Sequence, residues 1–271
     1  MYNRTVNDTE LQLIATKVSL TARKAGNQIR AMLKDFDSSR IEKKGAHDYV
    51  SYVDKATEQL IVSNLKDILP EAGFLTEEKT TANDQTHPYT WVVDPLDGTT
   101  NFLHGVAPYC VAIGLRQGRE TLLGVVYEVA QDEMFWAYKG SKAFLNGTPI
   151  QVSKTACVND SLMCFGYPYN VTEWSPVMQR LVRYYYGNCA SIRNLGSAET
   201  ELCYVACGRF DAYVESYLKP WDVCAGAFIL QQAGGHISDY AGGDSWTEGQ
   251  QVLATNGRVH AEMIETLKSV I

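Results

Sequence analysis

The stretch that most limits what this chain can fold into is Trp91-Val-Val-Asp94-Pro-Leu-Asp97-Gly-Thr-Thr100. Its apolar lead-in reads as a buried strand. Such a strand would deliver Asp94 to the carboxyl edge of a sheet, where open α/β folds collect ligands. The Gly-Thr-Thr that follows reads as a helix start. Two carboxylates three residues apart suit a hard cation such as Mg²⁺, which takes oxygen ligands and keeps several waters. Unpaired N–H groups at Gly98, Thr99 and Thr100 would attract the phosphate oxygens that the cation also binds. Taken alone, the same residues also fit an Asp-rich turn before a capped helix.

Composition narrows the class. With 271 residues, 45% hydrophobic and 20% charged, the chain can bury a large core. No apolar run reaches the ~20 residues of a membrane span, and Met1-Tyr-Asn-Arg-Thr lacks a signal-peptide pattern, so a cytoplasmic protein without membrane partners is expected. Seven cysteines without framework spacing point to free thiols. A net charge of -7 argues against a nucleic-acid partner, and an anionic substrate would need positive charge supplied locally. The five histidines show no ligand spacing and read as structural or solvent-facing.

Leu11, Ile14, Val18, Ala22, Ala25, Ile29, Met32 and Phe36 recur at helical spacing and predict a long amphipathic helix. Residues 37 to 48, with Lys43-Lys44-Gly45, read as a loop, and a second helix starts at Asp54 and closes at Pro70. From Tyr109 to Val152 the pattern becomes antiparallel hairpins turning at Gln117-Gly118 and Asn146-Gly147. Ser175-Pro176 starts a further helix that Gly187 ends. Residues 196 to 207 form another before Gly208, Asp211 to Glu215 a strand, and Asp222 begins an apolar helix ending at Gly234-Gly235. Strands and a last helix follow. The change of pattern suggests two intimately packed subdomains, about 1–150 and 151–271.

A second motif, Trp221-Asp222-Val-Cys-Ala-Gly226 running on to Ala233-Gly234-Gly235, stands with Trp91 to Phe102 in an order and spacing that resemble the inositol monophosphatase family. That family lies among the Mg²⁺-dependent, lithium-sensitive phosphatases, with fructose bisphosphatases and bisphosphate nucleotidases. The resemblance runs from about residue 10 to the C-terminus. It implies an α/β (α+β) fold, a layered α-β-α-β-α sandwich of the sugar-phosphatase type, with two or three Mg²⁺ ions, lithium inhibition and a homodimer.

By the same resemblance, Glu77, Asp94, Asp97, Asp222 and the carbonyl of Leu96 are the metal ligands. Glu78 follows Glu77 as a group that either supports the ligands from behind or faces the substrate, and Thr76 stands where many relatives have Gly. Asp54, alone an N-cap candidate, would pair with the Thr99 hydroxyl to activate a water, with Glu77 also in the catalytic set. Gly98 and Thr99 would bind phosphate, and Gly196, Ser197, Ala198 and Glu215 the substrate. Glu215, alone, also fits an exposed strand end. Lys43 corresponds to a loop lysine of the family and is left out of the site. Cys164-Phe-Gly-Tyr-Pro-Tyr169 departs from the inositol enzymes. The expected activity is hydrolysis of myo-inositol monophosphate, a small phosphorylated polyol. Alternatives are fructose 1,6-bisphosphate, a nucleotide 3'-phosphate or NADP, or a regulatory binding protein that retains the fold.

Overall fold

Two sheets divide the chain in the computed structural model, which describes residues 6–34, 42–45, 48–50, 52–167, 171–248 and 250–271. The chain opens with helix α1 (Asp8–Lys34), whose buried stripe Leu11, Ile14, Val18, Ala22, Ala25 and Ile29 is the one its periodicity predicts; Phe36 lies outside the described residues. Part of the expected loop at 37 to 48 is instead a hairpin. β1 (Glu42–Gly45) pairs antiparallel with β2 (Asp48–Val50), a polar pairing that leaves no apolar alternation to read. Helix α2 (Tyr52–Ile68) begins two residues before Asp54, which is therefore inside its first turn and buried.

Seven strands follow in chain order across one sheet: β3 (Ala72–Thr76), β4 (Tyr89–Asp97), β5 (Cys110–Gln117), β6 (Glu120–Glu128), β7 (Glu133–Tyr138), β8 (Ala143–Leu145) and β9 (Thr148–Ile150). β3 and β4 run parallel and the other pairs antiparallel. Asn146 and Gly147 both have positive φ (47° and 82°), which suits the two-residue hairpin turn read there. A short helix, α3 (Thr99–His104), links β4 to β5.

The second sheet has the order β11-β10-β12-β14-β13, built from β10 (Leu162–Phe165), β11 (Ser191–Arg193), β12 (Ala212–Ser216), β13 (His236–Ser238) and β14 (Gln251–Thr255). Its helices are α4 (Val171–Tyr185), α5 (Ala198–Ala206), α6 (Cys224–Gln232) and α7 (His260–Val270). α4 starts before Ser175, so Pro176 lies inside it and costs it one backbone bond. α6 does not start at Asp222: a 3₁₀ turn, Pro220–Asp222, comes first, and Val223 caps the helix.

Strand alternation sorts the layers. Val111, Ile113 and Leu115 of β5 face α1 and α2, whereas Cys110 and Ala112 face α5 and α6, which share a core with Tyr213, Val252 and Ala254 of the second sheet. Ala212 and Val214 point the other way, into a core with α4 and α7. The result is the expected α-β-α-β-α sandwich. α6 sits directly on the first sheet over two paired glycines, Gly114 and Gly124. A Cβ on Gly114 would stand 2.5 Å from Cys224 Sγ, and one on Gly124 2.5 Å from the Ala225 carbonyl oxygen.

Candidate metal and phosphate site

The acidic turn at the end of β4 is a break in the sheet. Pairing with β5 shifts between Asp94 and Asp97, where Pro95 cannot donate to the ladder, and the irregularity re-aims both acids. Asp94 is 3% exposed, and its Oδ1 accepts the Leu96 N–H at 2.9 Å. Asp97 Oδ2 accepts three donors: the Ser197 hydroxyl at 2.7 Å, the Glu199 N–H at 2.9 Å and the Cys110 thiol at 3.5 Å. One carboxylate oxygen thus ties the first sheet to the start of α5. Gly98 takes φ 85° just before α3, and a Cβ there would lie 3.0 Å from the Pro108 carbonyl and 3.2 Å from that of Gly196. The phosphate-binding candidates Gly98 and Thr99 and the substrate-binding stretch Gly196-Ser197-Ala198 are therefore brought together.

Asp54 meets Thr99 as the resemblance implies. The Thr99 hydroxyl is 3.1 Å from Asp54 Oδ1 and 3.0 Å from the Leu96 carbonyl, two acceptors for a single proton. Asp222 closes its 3₁₀ turn by accepting the Lys219 N–H at 2.6 Å. Glu77 continues past β3, its N–H donating to the Val93 carbonyl at 3.2 Å.

Burial first, and then the charges of Glu77, Asp97 and Asp222, hold the Asp94 carboxyl well above the usual carboxylate range. Asp222 is raised in the same way, by burial and then by Glu77. Among the described residues, Asp94, Asp97 and Asp222 enter no ion pair. Mutually repelling hard oxygens, with only the Lys219 charge drawing the Asp222 carboxyl back among the charges that act on it, are the donor set that a hard cation fits. Among the described residues no three His, Cys, Asp or Glu side chains are grouped tightly enough to cage an ion by themselves, so water and substrate oxygens would have to complete a shell.

Glu215 is not an exposed strand end. It lies on the inner face of β12, accepts the Tyr213 hydroxyl and presses against Gly166, where a Cβ would meet its carboxylate. Burial, then Glu201, pushes its carboxyl well up. The side chain of Lys43 lies outside the described residues.

Three acids escaped the sequence reading. Glu58, fully buried one turn beyond Asp54, organises the Glu77 loop by accepting the N–H groups of Glu78 (2.7 Å) and Thr80 (2.6 Å) and the hydroxyls of Thr76 (3.0 Å) and Thr80 (2.7 Å). The Thr76 hydroxyl is thereby used, so the departure from Gly is accommodated. Glu199, also fully buried, accepts the N–H groups of Ala225 at 3.0 Å and of Gly226 and so holds the start of α6. Glu201 accepts the Leu195 and Gly196 N–H groups (2.6 and 3.3 Å) and the Cys164 thiol (3.0 Å), fixing the loop before Ser197. Acids in a first helical turn usually face solvent toward the helix dipole; for Glu199 and Glu201 the available signal was their i+3 and i+4 spacing to Leu202 and Val205 in α5.

A family model described as the inositol monophosphatase family matches residues 10–271. The chain belongs to that family. Among relatives of this inositol monophosphatase-family chain, the Nus factor SuhB of Pasteurella multocida is 34% identical over 247 residues, which cover 91% of this chain and 92% of the relative. Among solved structures, the inositol monophosphatase of Anabaena (Nostoc) superposes with a TM-score of 0.85 at 32% identity, covering 96% of this chain and 97% of the other. An inositol monophosphatase-II from Staphylococcus aureus, solved with inositol monophosphate bound, gives a TM-score of 0.78 at 26% identity, covering 93% and 92%; the same protein has also been solved with 2'-AMP.

Proposed function

We propose that the chain is a Mg²⁺-dependent phosphomonoesterase that hydrolyses myo-inositol monophosphate to inositol and phosphate. The observation that carries the proposal is the mutually repelling set Glu77, Asp94, Asp97 and Asp222, with Asp94 buried and the other three half-buried, standing beside the Asp54–Thr99 pair. Family membership supports phosphatase chemistry, and the ligands bound to the Staphylococcus protein support a phosphorylated substrate.

In this reading Glu77, Asp94, Asp97, Asp222 and the Leu96 carbonyl hold Mg²⁺. Bound Mg²⁺ supplies acidification of water and neutralisation of charge on the leaving oxygen. When the Thr99 hydroxyl donates to Asp54, its lone pairs are free to accept from a water. A proton leaving that water passes to Thr99 Oγ1 as the Thr99 proton moves to Asp54 Oδ1. The N–H groups after Gly98 orient the phosphate. Glu215, held by Tyr213, accepts from polyol hydroxyls, and the Gly196–Ala198 backbone borders them. Little covalent chemistry is asked of the protein, since phosphoryl transfer depends mainly on positioning and charge. The proposal extends to lithium inhibition and a homodimer.

The deciding experiment measures phosphate release from inositol 1-phosphate, fructose 1,6-bisphosphate, 3'-phosphoadenosine 5'-phosphate and NADP, with Mg²⁺, with EDTA and with added Li⁺. Mg²⁺-dependent turnover led by inositol 1-phosphate is expected, and preference for another substrate would rename the enzyme. The name Nus factor carried by the Pasteurella relative supports a second reading, a regulatory binding protein; absence of turnover on every substrate would favour it.

A further inference from the structure

Away from the carboxylates, a cleft of about 340 Å³ is lined by Leu75, Arg116, Arg119, Trp221, Thr247 and Glu248. Arg116, near the end of β5, is 8% exposed. Its Nη2 donates to the Thr247 carbonyl at 3.1 Å, and among the described residues its buried Nε has no hydrogen-bond partner and it enters no ion pair. A guanidinium taken out of water without a counter-ion is costly, and natural proteins compensate it with an anion. Cys224 is the thiol beside it: burial raises the Cys224 pKa, and the Arg116 charge and its weak hydrogen bond to the thiol pull it back, a neutral partner that leaves the charge uncompensated. Arg119 stands in the turn between β5 and β6, exposed, on the same cleft.

We propose that this cleft binds a phosphate-type oxyanion, either inorganic phosphate or the phosphate of a small monoester, with Arg116 as the inner anchor and Arg119 at the mouth. The planar guanidinium fork matches tetrahedral oxyanions bidentately, and the volume lies within the range of small-molecule sites. Glu248, exposed on the rim, is the opposing charge that limits affinity. The cleft is distinct from the proposed catalytic site, yet two of its walls lead there: Leu75 precedes Glu77 by two residues, and Trp221 adjoins Asp222.

The test is isothermal titration of the full chain with inorganic phosphate and, separately, glycerol 2-phosphate, both in EDTA. Without Mg²⁺ the carboxylate cluster disfavours anions, and binding that falls in the Arg119→Gln variant reports the cleft and does not depend on the proposed phosphatase activity. Saturable binding is expected, weakened about tenfold in Arg116→Gln and in Arg119→Gln and tightened in Glu248→Gln. Binding of phosphate alone identifies the free ion as sufficient, and binding only of the ester identifies a metabolite; both uphold the site. Absence of binding to both probes overturns it, as does undiminished binding in Arg119→Gln, an exposed turn substitution that leaves folding intact even if Arg116→Gln does not.

Discussion

The seat of α6 on the first sheet can be tested by a double-mutant cycle. Carbon contacts are optimal at about 3.5–4.0 Å, so a methyl at Gly114, 2.5 Å from Cys224 Sγ, overlaps the sulfur by about 1 Å. Overpacking of this kind costs roughly 1–3 kcal/mol, offset by about 0.5–1 kcal/mol for replacing a strand glycine with alanine. Gly114→Ala should therefore destabilise by about 1–2 kcal/mol. Cys224→Ala alone removes one buried sulfur, worth about 1 kcal/mol. If the sulfur is the obstacle, the double variant should be no less stable than Cys224→Ala, a coupling of about 1–2 kcal/mol. Gly124→Ala meets the Ala225 backbone instead, so Cys224→Ala should not rescue it. Urea midpoints of the single and double variants decide the matter. Additivity of the Gly114 pair within about 0.5 kcal/mol would refute the contact geometry.

Asp97→Asn is expected to lower turnover at least about a hundredfold, or ~2.7 kcal/mol, with the fold intact by circular dichroism; near-normal activity would remove Asp97 from the metal set. Glu58→Gln leaves the Glu77 loop with donors unpaired and should cost about 1–3 kcal/mol while speeding amide exchange at Glu78 and Thr80; unchanged exchange would exclude the clamp. His260 bonds Ser238 and Thr255, and burial, then His236, lowers its pKa to about 4. Above pH ~6.5 folded and unfolded chains are both neutral there. As pH falls below that value the unfolded chain takes up a proton the fold refuses, so stability is lost down to about pH 4. Allowing for solvent screening, the loss is about 1–2 kcal/mol. Urea midpoints at pH 7.5 and 5 should differ less in His260→Gln than in the parent chain, and an equal difference would clear His260.

What the sequence made legible was what repeats or breaks sharply. The α1 stripe, the 110–150 hairpins and the strand–turn–helix around Asp94 all carry strong local periodicity or obligatory turn residues. The 42–50 hairpin was missed because it is short and polar, and the early start of α4 because Pro176 resembles an N1 proline. Asp94, Asp97 and Asp222 were legible as candidates through two motifs, whereas Asp54, Glu77 and Glu215 were assigned only through the family resemblance. Glu58, Glu199 and Glu201 escaped both routes, since their roles rest on backbone N–H groups 20 or more residues away for Glu58 and Glu199, and on a nearby loop for Glu201. No local pattern encodes such partners.

The bonds from Ser197 and Glu199 to Asp97 span 100 and 102 residues of chain, and that separation has a kinetic consequence. Contacts so distant in sequence form only after the intervening segment has been ordered, because loop-closure entropy must be met before they reward it. Each sheet can nucleate from its own hairpins and helices, whereas the acidic cluster has no meaning until the halves dock. During refolding, affinity for a divalent cation should thus emerge after most secondary structure is in place, and so report the docking step.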